Sequence, residues 1–221
     1  MLTRFLLVEL INAAEGVERA HIQARAYAVA AQRAADDHFR EHPDLLALTE
    51  PGYNRGWDSD DVTGVWYELI NMIVWARAVD DRVQRPGRRG DPLQGLLPAL
   101  APGPLYDKVQ HALGQLREGA AGEARILANY SVHCGIFPTP GTPNGLAIDG
   151  QLSYIMADPP TTAVDHWYEL TFAESRDALV FAEQLMVQIV EFINSVLDAF
   201  AAAVPERIAT TLPPTPSDPG R

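Results

Sequence analysis

Apolar positions recur at helical spacing over most of this chain. Leu6, Leu7, Leu10, Ala14, Val17, Ala24 and Ala28 mark residues 2–41, a stretch without proline and rich in alanine. They predict one long helix, bent near Gly16, and Pro43 stands just beyond it, where helices commonly stop. Residues 50–60 hold Pro51, Gly52, Asn54, Gly56, Asp58 and Ser59, which is loop chemistry ending in residues suited to cap a helix. From about 61 to 84 the pattern is apolar nearly all round (Val65, Trp66, Leu69, Ile70, Met72, Ile73, Val74, Trp75, Val79), so this helix is expected at the centre of a bundle. Glu68, Asp80 and Asp81 are its polar exceptions.

A Pro/Gly/Arg-rich loop is expected to about residue 103. A helix over 104–118 follows, with Pro104 in its first turn and Leu105, Val109, Ala112, Leu113 and Leu116 as its stripe. The next covers 120–134 and ends at Gly135-Ile-Phe-Pro-Thr-Pro-Gly. Residues 151–157 suggest a short extended piece. Ala178, Phe181, Leu185, Ile189, Phe192, Val196 and Phe200 make a near-heptad stripe over a last helix, 174–203. The prediction is an all-α bundle of about five helices in one domain, 1–204, followed by a disordered tail, 205–221.

At 221 residues, 47% hydrophobic and 21% charged, the chain can bury a full core. A single cysteine, Cys134, excludes an internal disulfide and favours a reducing, cytoplasmic setting. No membrane span is read: the most apolar stretch, Leu69 to Val79, is about half the required length and contains Arg77. The N-terminal apolar run is interrupted by Glu9 and continues as an amphipathic pattern, so it reads as a helix and not as a secretion signal. The net charge of −12 counts against a broad nucleic-acid surface and leaves room for a small basic site. Arg82, Arg85, Arg88 and Arg89 fall within eight residues, either as such a site or as a solvated loop beside Pro86 and Gly87.

The segment with the most chemistry is Glu123-Ala-Arg-Ile-Leu-Ala-Asn-Tyr-Ser-Val-His-Cys-Gly-Ile-Phe-Pro. An Asn-Tyr-x-x-His run sits near the end of a helix, with a Gly/Pro loop behind it. This resembles the HEPN family, small helical bundles that include many metal-independent ribonucleases. Their motif reads arginine, a polar residue that is often asparagine, a few more residues, then histidine. Asn129, Tyr130 and His133 match, Gly135 and Pro138 fit the context, and the arginine position holds Ala128. The match is concentrated in about fifteen residues; the rest of the chain agrees in architecture.

The resemblance implies a homodimeric endoribonuclease, a toxin or anti-phage effector, that takes RNA as substrate and needs no metal and no other cofactor. It further implies an antitoxin or regulatory protein as partner. In that chemistry a near-neutral imidazole moves the proton of the attacking 2′-hydroxyl, and a guanidinium holds the phosphate and offsets transition-state charge. His133 would do the acid–base work with Asn129 in support. Ala128 removes the guanidinium, so the chain as written is expected to be inactive or severely impaired, whether the alanine is natural or introduced. The alternative is a non-catalytic HEPN-like binding or regulatory protein.

Arg125, Tyr130, Arg82 and Arg85 are the expected RNA contacts. The plainer readings stand beside these roles: His133 capping helix carbonyls, Asn129 bonding locally, Tyr130 packing as an aromatic. Asp80 or Asp81 either orients His133 or the missing arginine in a dimer cleft, or is a solvated helix end. His38 and His42 are four apart, and Glu18-x-x-His21 matches half of a carboxylate-bridged di-iron site, but neither has the further ligands a metal needs. A metal-dependent helical hydrolase using Glu15, Glu18, Glu68 or Asp80 is a third reading.

Overall fold

The computed structural model describes residues 2–44, 56–57, 60–86, 94–134, 145–148, 150–159 and 174–211, with backbone alone at 2–3, 56–57, 132–134, 145–148 and 204–211. Six helices lie among the described residues: α1 (Leu2–Glu41), α2 (Asp60–Gln84), α3 (Leu96–Ala99), α4 (Pro104–Arg117), α5 (Ala120–Cys134) and α6 (Ala178–Thr211). The all-α class expected from the periodicity is therefore met, with a small amount of sheet added.

The bundle is built on the pairing of α1 with α2. Gly16 of α1 faces the Trp75 ring so closely that a Cβ there would have no room, and Gly64 of α2 receives Tyr27 of α1 in the same way. Glu9 on α1 meets Arg82 on α2 at 3.3 Å. From Glu9 to Gly16 is two turns up one helix and from Arg82 to Trp75 is two turns down the other, so the helices are antiparallel and in constant register. Each glycine is the hole for an aromatic knob on its partner. At Gly16 the sequence suggested a bend, and the structure assigns it a packing role.

α5 lies across α2 with Ala120, Ala121, Ala124, Leu127 and Ala128 inward, the small side chains allowing a close approach. α6 closes the core with Ala178, Phe181, Leu185, Ile189, Phe192 and Val196, packing on α4, α1 and α5. By length and composition the Ala178–Ala203 portion of α6 is long and apolar enough to cross a membrane. It replaces Leu69–Val79 as the stretch most open to that reading, although its stripe is the seam that closes the bundle.

Four details correct the expected elements. α6 begins at Ala178, because Ser175–Asp177 form a strand and Asp177 then caps the helix, its carboxylate accepting from the Leu179 and Val180 amides at 2.8 and 2.9 Å. Its backbone continues to Thr211, so the expected tail boundary at 205 falls inside the helix; one proline removes a single ladder hydrogen bond from an alanine-rich turn. The Arg-rich loop is interrupted by α3, whose Leu96 and Leu97 are buried. Extended structure goes beyond 151–157. β1 (Gly56–Trp57), β2 (Gly145–Ile148) and β3 (Gln151–Ser153) form one antiparallel sheet in that order, and β4 (Ile155–Ala157) pairs with β5 (Ser175–Asp177) in another. Gln32 of α1 anchors the first sheet by accepting from the Leu152 amide at 2.6 Å and donating to the Gly150 carbonyl at 2.8 Å.

Candidate functional site

Of the motif residues on α5, Ala128 has 0% of its surface exposed and lies in the core. It sits at the point where small residues let α5 close on α2, so the expected arginine position is occupied by packing. Asn129 and Tyr130 are half-buried. His133 is placed on α5 by its backbone, while its side chain, like all of Gly135 and Pro138, lies outside the described residues.

Arg125 stands one turn before Ala128, its side chain 48% exposed and its Nε 3.7 Å from Asp80 Oδ2. That brings it to a buried carboxylate with several partners. Asp80 is only 4% exposed. Arg117 of α4 grips it with both ends of the guanidinium, Nε to Oδ1 at 2.7 Å and Nη2 to Oδ2 at 3.1 Å, and the Gln84 amide also donates to Oδ2. The expectation of a solvated helix end is thus corrected for Asp80. The carboxylate lies on the inward stripe with Met72, Ile73, Ala76 and Val83, and there a bidentate guanidinium meets both of its oxygens. That stripe was readable. The partner, thirty-seven residues on at the end of another helix, was not.

Arg82 and Arg85 lie together at the C-terminal end of α2, where cations also complement the helix dipole. Arg82 is paired with Glu9. Between them and Gln94 is a cavity of about 140 Å³ that Ala78 and Asp81 also line. Gln94 was missed by the sequence reading, since it falls in what looked like loop. Arg88 and Arg89 lie outside the described residues. The four expected RNA contacts therefore divide: Arg82 and Arg85 meet at one cavity, Arg125 goes to Asp80, and Tyr130 stays on α5.

Larger grooves lie elsewhere, two of them of about 510 Å³ each. One runs between α4 and α6, past Gln115, Gln188, Asn194 and Asp198. The other is more apolar and lies between α1, β3 and α6, bordered by Arg25, Val29, Leu152, Tyr154 and Glu183. Tyr154 is 1% exposed, its hydroxyl has no hydrogen-bond partner among the described residues, and burial, helped by the nearby Asp61 charge, pushes its pKa up to about 12. His21 is engaged with Glu183 at 3.0 Å. The His38 and His42 rings lie 5.0 Å apart. Among the described residues no three His, Cys, Asp or Glu side chains group in a way that would hold a metal ion.

No family model matches this chain, and no curated protein and no solved structure matches it either.

Proposed function

We propose that this chain is a HEPN-like helical bundle that acts in the cytoplasm as a homodimer and holds RNA without cutting it. The observation that carries the reading is residue 128: where the family motif places a guanidinium, this chain has a methyl group with no exposed surface. A methyl group supplies neither charge nor donor, and loss of one such donor lowers a rate by about 10² to 10³. RNA as the ligand is supported by the Asn129-Tyr130-x-x-His133 run and by three arginines (Arg82, Arg85 and Arg125) near the C-terminal end of α2. With a net charge of −12, the contact is confined to those local cations and weakens steeply with salt.

The test is a panel of labelled single-stranded RNAs, with binding followed by anisotropy and integrity by gel. Salt-sensitive binding with intact RNA is expected. Cleavage by the unaltered chain, or no binding at low salt, overturns the reading.

A second reading is favoured by the narrowness of the departure, since Asn129, Tyr130 and His133 are all present and only the arginine is missing. It holds that the chain is a silenced toxin or anti-phage nuclease. Ala128→Arg would then gain metal-independent cleavage and cause growth arrest, both lost with His133→Ala. Because residue 128 is enclosed, the variant must first be shown to melt cooperatively. A folded, dimeric Ala128→Arg protein that is inert on diverse RNAs removes the nuclease reading.

A further inference from the structure

The chain leaves α2 at Gln84 and comes back against the helix end at Gly95, whose amide donates to the Arg85 carbonyl at 2.8 Å. The return is tight: a Cβ on Gly95 would lie 2.6 Å from both the Val83 carbonyl oxygen and the Arg85 nitrogen. This contact seats Gln94 at 2% exposure, yet neither its amide oxygen nor its amide nitrogen has a hydrogen-bond partner among the described residues. A buried primary amide with both ends unmet is costly and rare, and the cavity that it lines offers the explanation.

The charges around that cavity are unequal. Asp81 lies 3.8 Å from Arg77, and Arg82 lies 3.3 Å from Glu9. Arg85 lines the cavity and has no ion pair among the described residues. The cavity, of about 140 Å³, has room for one small oxyanion.

We propose that this cavity binds a phosphate group, with Arg85, Arg82 and the Gln94 amide nitrogen donating to its oxygens. The Gln94 amide oxygen accepts from the hydroxyl of the singly protonated phosphate or from a water carried in with it. Two sources share this chemistry, free phosphate and the terminal phosphate of an RNA strand. Only the second rests on the RNA-binding reading above.

The experiment is calorimetric titration of the full chain with inorganic phosphate, then with one short RNA bearing or lacking a 5′-phosphate. Arg85→Ala and Gln94→Leu are run in parallel, and a melting curve is taken for each protein. Phosphate binding is expected, weakened about tenfold to a hundredfold in each variant while both stay folded. A 5′-phosphate that tightens RNA binding only when Arg85 and Gln94 are present identifies the strand end as the source. Phosphate binding that needs both residues, with no effect of the 5′-phosphate, upholds the site with free phosphate as its ligand. Absence of phosphate binding, or equal binding by folded variants, overturns the proposal, and does so even if RNA still binds elsewhere.

Discussion

Two buried polar side chains near the C-terminal end of α2 have opposite fates. Asp80 faces the core side and is met by Arg117, Gln84 and, more distantly, Arg125. Gln94 is buried as deeply on the other side, and its amide has no partner among the described residues. A polar group that folding satisfies completely serves the fold, because its hydrogen bonds are already made and a ligand has nothing to add. A polar group that folding buries and leaves unmet is a stability cost, and it makes sense where a ligand completes it. The contrast assigns architecture to the Asp80 cluster and recognition to the Gln94 cavity.

The largest expected effect comes from Arg117→Met, which strands a buried carboxylate. Chemical denaturation should show a loss of about 3–5 kcal/mol. A loss below about 1 kcal/mol would mean that Asp80 is not held as described, and the satisfied side of the contrast would collapse. Tyr154 extends the unmet side, since its hydroxyl is also buried with no partner among the described residues. Its folded pKa of about 12 lies above the ordinary value of 10.0, so the fold favours the protonated phenol. That contribution is complete below about pH 10 and is lost as pH rises toward 12, amounting to a decline on the order of 3 kcal/mol. Melting temperature should fall over that window, and Tyr154→Phe should flatten the fall.

Gln94→Leu reverses the sign. Replacing an unmet amide with a similar apolar shape should raise stability by about 1–3 kcal/mol in the absence of ligand. A destabilised leucine variant would show that the amide is satisfied after all. Arg125→Ala should be the mildest, within about 1 kcal/mol, because the guanidinium is half exposed and 3.7 Å from Asp80. A much larger loss would move Arg125 into the structural cluster and out of the ligand-facing set.

The legible parts of this fold are those governed by local period and local chemistry. The apolar stripe and Pro104 placed α4 within a residue of its observed end, and the Gly/Pro run after Cys134 marked the end of α5. Asp177 was harder: it caps α6 because a strand ends there, and the strand exists only through pairing with Ile155–Ala157. The four-residue α3 is too short to carry a periodic signal, and its burial follows from where the chain turns back. At the candidate site, the arginines at 82, 85 and 125 were visible as cations, but their division between a cavity and an ion pair was not. Gln94 carried no signal, since nothing about a glutamine beside a Pro/Gly-rich stretch marks it as buried.

Taken alone, the amino-acid order determined that the chain is helical, where its long helices run, which faces are apolar, and that residue 128 lacks a guanidinium. These follow from spacing along one strand of backbone and from side-chain identity. The tertiary structure decided that α1 and α2 lock through reciprocal glycine–aromatic contacts, that Asp80 is neutralised from another helix, and that Gln94 is buried and unmet. Each of those depends on atoms far apart in the chain being brought within a few ångströms, and on which polar groups still have a partner once water has been excluded.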